Sequence, residues 1–77
     1  MQERKVKIDS KDELVKSIRQ LKADFIAKYK ETPLFVLLDK KDFLKASAWR
    51  AEHSTERIDG MKPMLDNTIS RPIVGGI

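Results

Sequence analysis

The longest unbroken apolar run in this chain is only five residues, Leu34-Phe35-Val36-Leu37-Leu38, with a proline before it and an aspartate after it. Hydrophobicity that is continuous rather than alternating marks a strand with neighbours on each side or cover on both faces, so this segment predicts the centre of a sheet. The rest of a 77-residue chain has to be arranged around it. Forty per cent hydrophobic and 6% aromatic residues supply one thin core, and the expectation is a single small α/β domain over residues 1–77. A five-residue run is far short of the ~20 residues a bilayer span needs, and Met1-Gln2-Glu3-Arg4 lacks the apolar core of a leader. A soluble, cytoplasmic protein with no membrane partner is therefore expected. The chain has no cysteine, which excludes a disulfide framework, a thiolate nucleophile and Cys-based metal sites.

Ahead of the central run, Val6 and Ile8 alternate with Lys5 and Lys7 and predict a short strand over Arg4 to Asp9. Ser10-Lys11-Asp12-Glu13 has the spacing of a capping box, and behind it Leu14, Ile18, Leu21, Phe25 and Tyr29 recur at steps of three or four. That is one apolar stripe of a long helix, ended by Thr32-Pro33. Downstream, Asp39 stands at an N-cap position for a second helix over roughly Lys40 to Glu52, with Phe43, Leu44, Ser47, Ala48 and Ala51 as its stripe. The polar stretch Glu52 to Arg57 contains nothing to anchor it and reads as a loose connection. Two last apolar pieces, Met61 to Leu65 and Ile69 to Val74, surround the turn-forming Asp66-Asn67-Thr68 and predict a β-hairpin. Pro63 and Pro72 place each piece at an edge or a non-bonded position. The order predicted is β-α-β-α-β-β, with a mixed sheet and one long amphipathic helix packed on it.

A helix of about 21 residues is ~32 Å long, whereas a five-residue strand reaches only ~17 Å. Part of the helix stripe must extend beyond the sheet. Small scaffolds without disulfide or metal come out near zero when burial is set against chain entropy, which favours a protein partner or self-association into a homo-oligomer, a dimer in the simplest case. The contact positions expected from this apolar surplus are Phe25, Ile26 and Tyr29 on the helix and Met64, Leu65, Ile69 and Ile73 on the terminal pieces.

Reactive chemistry finds little support. The sole histidine, His53, lies in a polar stretch, and with Glu56 it makes half a metal site at best. Helix capping accounts for Asp39 and Asp42 without a substrate. Trp49 and the Met61/Met64 pair read first as packing. No phosphate-binding glycine motif is present, and no catalytic residue, metal site or cofactor is expected. Nucleic acid is the serious rival partner, because Arg4, Lys5 and Lys7 on the first strand and Lys16, Arg19 and Lys22 along the helix can face one polyanion. However, nine cations against six carboxylates leave residues 1–31 at only +3, and no aromatic sits among the six positions just named to stack a base. Intrahelical pairs such as Asp12 with Lys16 and Asp24 with Lys28 explain the same pattern.

A helix is followed by Pro33-Leu34-Phe35-Val36-Leu37-Leu38-Asp39-Lys40-Lys41-Asp42-Phe43-Leu44, then Ile58-Asp59-Gly60-Met61-Lys62-Pro63, then Asp66-Asn67-Thr68-Ile69 and Ile73-Val74-Gly75-Gly76. This order of segments resembles the axial domain of tailed-phage major capsid proteins. The chain departs from that family in the wider spacing between its glycine and proline. It also has no room for the family's peripheral helix, extended loop and N-terminal arm. The resemblance implies a phage- or prophage-encoded protein, in the host cytoplasm or the virion, that acts through protein contacts rather than chemistry.

Overall fold

The computed structural model describes residues 10–76. The strand expected at 4–9, and with it Arg4, Lys5 and Lys7, lies outside the described residues. The elements run α1 (Ser10–Tyr29), β1 (Phe35–Leu38), α2 (Lys40–Glu52), β2 (Lys62–Leu65) and β3 (Ile73–Gly75), and they form a small α/β fold with a mixed three-stranded sheet.

Helix α1 carries Asp12 and Glu13 in its first turn and Lys28 in its last, each suited to the dipole end it occupies. Ser10 is already helical rather than the cap in front of the helix, so the expected capping box is not in register. The helix stops where Lys30 turns left-handed at φ 60 and its amide returns to the Ile26 carbonyl at 2.8 Å. Pro33 then forbids another turn. Helix α2 begins where the sequence places it: Asp39 is extended and its Oδ1 accepts from the Asp42 amide at 2.8 Å. Its buried face differs from the one expected. Ala46 and Trp49 are inside with Phe43 half-buried, whereas Leu44 is 60% exposed and Ala48 and Ala51 are on the outer side. The large rings of Phe43 and Trp49 bury more apolar area than the aliphatic positions do, and they set the rotation of the helix. The stretch after α2, expected to be loose, is tied back by its main chain: the Thr55 amide reaches the Arg50 carbonyl at 3.0 Å, and Arg50 Nη1 donates to the Glu56 carbonyl at 3.2 Å.

Strand β1 is central, as its continuous apolar run predicts, with β2 parallel on one side and β3 antiparallel on the other. The expected hairpin is therefore overturned, since β2 and β3 pair with β1 and not with each other. Proline supplies the reason. A hairpin stacked on β1 would leave one proline-bearing piece flanked on both sides, whereas the order β2-β1-β3 gives Pro63 and Pro72 an edge each. The connection between the two edges opens with an Asx turn: the Asp66 amide bonds the Leu38 carbonyl at 2.8 Å, and its carboxylate accepts from the Thr68 amide at 2.9 Å and from the Thr68 hydroxyl. Those bonds, the hydroxyl first, hold the Asp66 carboxyl below its ordinary 3.8 against a small opposing effect of burial.

A small hairpin does exist, but at Ile58–Met61. Asp59 at φ 52 and Gly60 at φ 86 make a two-residue turn with both central residues left-handed, closed by Ile58 and Met61 amide–carbonyl bonds of 2.9 Å. Both flanking side chains are fully buried. They join Leu14, Val15 and Ile18 of α1, Val36 and Leu38 of β1, and Ala46 and Trp49 of α2 in one core. Because buried Val36 and Leu38 alternate with half-buried Phe35 and Leu37, the helices cover one face of the sheet and leave the other open.

Candidate docking surface

Register determines what the open face presents. Leu37 stands opposite Met64 on β2 and Ile73 on β3, so the three form one cross-strand apolar row. Met64 is 43% and Ile73 44% exposed. Phe35 occupies the next row, between Lys62 and Gly75. Its ring lies across β3 where a side chain would otherwise stand: a Cβ on Gly75 would fall 2.8 Å from Phe35 Cζ. Glycine at this position lets the ring cover the strand.

Along the outer side of β3, the second half of α1 forms the other wall of a groove of about 460 Å3. Leu21, Phe25, Tyr29, Pro72, Ile73 and Val74 line it, with Asp24, Lys28 and Arg71 among them. The Phe25 and Tyr29 rings are 4.7 Å apart, and Lys28 Nζ lies 5.3 Å from the Tyr29 ring centre. Ile73 belongs both to this groove and to the open-face row, and it connects them.

Of the expected contact positions, Phe25, Tyr29 and Ile73 converge on the groove, and Met64 joins Ile73 across Leu37. Ile26, 38% exposed, does not line it; Leu65 is exposed at the end of β2, and Ile69 is half-buried in the connection. The overhang of α1 predicted from helix length is present, since only Leu14, Val15 and Ile18 of that helix are buried. Sequence reasoning placed Leu37 and Phe35 in a strand with neighbours or cover, and missed them as surface. The run is uniformly apolar, so it held no signal of which face stays open.

The cations expected for nucleic acid are drawn elsewhere. The Arg19 guanidinium stands 6.0 Å from the Trp49 ring centre, and Lys22 Nζ reaches the Asp59 carbonyl at 2.7 Å and its carboxylate at 3.4 Å. Both link α1 to neighbouring elements; Lys16 is exposed. The predicted Asp24–Lys28 pair is replaced, with Asp24 accepting from Gln20 Nε2 at 3.0 Å and Lys28 over Tyr29.

His53 caps the end of α2. Its ring stacks on Trp49 at 4.2 Å, and Nδ1 lies 2.9 Å from the Trp49 carbonyl. A carbonyl can only accept, so Nδ1 carries the proton. Among the described residues no group of three or more His, Asp or Glu side chains gathers as a metal site would require, and no helix is long and apolar enough to cross a membrane. No protein-family model, curated protein or solved structure matches this chain.

Proposed function

We propose that this chain is a non-enzymatic protein-interaction module that assembles with a second copy of itself through the open sheet face and the adjoining groove. The observation that carries this reading is the row Met64–Leu37–Ile73: apolar side chains on a strand whose other face is core, left without cover and continuous with the groove at Ile73. A second copy fits the electrostatics. In a two-fold contact each surface meets itself, and the groove carries Asp24 beside Lys28 and Arg71, so an isologous arrangement whose axis passes between them sets Asp24 of each copy against a cation of the other. A thin core gives the same push, because a small domain gains stability by covering such a surface. The order of segments supports a phage- or prophage-encoded assembly protein as the setting for this role. The nucleic-acid alternative is weakened by the placement of Arg19 on Trp49 and Lys22 on Asp59.

Light scattering coupled to gel filtration tests the proposal. The expected result is a dimer for the native protein and a monomer for the exposed-site variant Ile73→Glu, with unchanged far-UV circular dichroism. A native protein that stays monomeric at every concentration overturns it.

A further inference from the structure

A second hollow lies away from the groove, and its chemistry is opposite. Arg50 from α2, Arg57 from the connection and Lys62 from β2 converge on a space of about 390 Å3 bordered by Phe43, Glu56 and Pro63. Among the described residues, no carboxylate comes within ion-pair distance of these three cations; the pairs that form are Lys11–Glu52, Lys22–Asp59 and Lys45–Asp42. With Glu56 as the one carboxylate on the wall, the local balance is three positive charges to one negative.

Arg50 is fixed in place. Its Nη1 donates to the Glu56 carbonyl and its Nη2 to Ser47 Oγ, each at 3.2 Å, and its guanidinium stands 6.0 Å from the Phe43 ring centre. Nε is buried with no hydrogen-bond partner, which carries an energetic cost. Each terminal nitrogen carries two hydrogens and uses one, so Arg50 retains two donors for a ligand. Arg57 and Lys62 line the same hollow, are exposed, and bring further donors.

We propose that Arg50, Arg57 and Lys62 form a binding site for a phosphate group, borne either by a free anion or by a small phosphorylated molecule. A carboxylate presents two oxygens and one charge, which suits a single guanidinium. Three converging cations with a net excess of two instead match the charge and the several acceptor oxygens of a phosphate dianion. The site shares no residue with the groove or with the Met64–Leu37–Ile73 row, but its Lys62 stands in the next row of the open face, beside Phe35.

The test is an amide-resolved NMR titration of the full chain at low ionic strength with inorganic pyrophosphate, with adenosine 5′-monophosphate, and with chloride at matched ionic strength. Pyrophosphate is expected to bind with a Kd on the order of 1 mM and to shift resonances around Arg50, Arg57 and Lys62. Binding of the nucleotide as well identifies a phosphate group carried on an organic molecule as an acceptable ligand; binding of pyrophosphate alone identifies the free anion. The exposed-site variant Arg57→Gln/Lys62→Gln is expected to keep its fold and bind at least about tenfold more weakly, because charge-assisted hydrogen bonds are the strong ones. Glu56→Gln, which removes the repelling carboxylate, is expected to bind more tightly. Equal shifts with chloride, nucleotide binding without pyrophosphate binding, or unchanged affinity in the double variant each overturn the site.

Discussion

Leu14, Val15 and Ile18 in the first half of α1 are buried, with Ile18 fully so, whereas Phe25 is half-buried and Ile26 and Tyr29 in the second half are 38% and 53% exposed. The two halves belong to one apolar stripe with one period. Their difference comes from what lies beneath them. The first half meets α2 and the Ile58–Met61 turn, while the second runs past the sheet beside the outer edge of β3. Periodicity therefore specifies which side of a helix is apolar, and the lengths of the partner elements decide how much of that side the chain can cover itself.

The most direct way to break this comparison is to truncate one residue from each half. Ile18→Ala is expected to cost about 2–5 kcal/mol, the range for removing a fully buried aliphatic side chain, and in a domain this small that is enough to unfold much of the population. Ile26→Ala is expected to stay within ~0.5 kcal/mol, as surface substitutions do. Urea unfolding followed by the fluorescence of Trp49, the sole and buried tryptophan, reads both. Similar losses at the two positions would mean that the second half is as well packed as the first.

The pattern that made one helix legible misled elsewhere for a physical reason. Asp39, the α2 boundaries and the central β1 could be read because capping and uninterrupted apolarity are local. Strand partners are not local. Asp66-Asn67-Thr68 between two apolar pieces looked like a hairpin, but whether such pieces pair with each other or with a shared neighbour depends on a strand some thirty residues earlier. Proline already argued for two edges, and that constraint outweighs the turn. The true two-residue turn, Asp59-Gly60, carries a strong short-range signal between apolar Ile58 and Met61. Of those two core side chains, Met61 reads as packing in the sequence, whereas Ile58 belongs to neither helical stripe. For the surface, helix length alone exposed the overhang, whereas the open face of β1 required knowing that both helices pack on the opposite side.

A second effect, of middle size, comes from the cap. Asp39→Ala removes the acceptor for the Asp42 amide and is expected to cost about 1 kcal/mol. Helix α2 packs on the first half of α1, so the loss should appear in the core, as a lower urea midpoint read by Trp49, and leave groove residues such as Tyr29 unchanged by NMR. A shift confined to the groove would show that the two regions are not separate.

Smaller still is the effect of Lys22, which sits at the boundary between the halves and holds the Asp59 turn. Lys22→Met is expected to cost under about 1 kcal/mol, because the ion pair is partly exposed and screened by salt. The native advantage over this variant should shrink as salt is added. An advantage independent of salt would assign the contribution of Lys22 to packing of its stem.

The smallest effect concerns Asp66, whose turn leads towards β3 and so positions the second wall of the groove. Its carboxyl is held below the ordinary 3.8 by the Thr68 hydroxyl and amide, so the folded form favours the carboxylate. A depressed folded value contributes stability that is complete above the unfolded value and is lost as pH falls through the folded one. Acidification below about 3.8 should therefore loosen the Asp66–Thr68 turn while Trp49 still reports an intact core, provided the two regions are coupled only weakly. The Thr68 amide resonance, followed against pH, is the direct reading. Asp66→Asn keeps an oxygen that can accept from Thr68 but cannot titrate in this range, so its turn should persist and its Thr68 resonance should lose that dependence on pH. If Thr68 and Trp49 instead change together in the native protein, the connection to β3 belongs to the same cooperative unit as the first half of α1, and the groove is as rigid as the core.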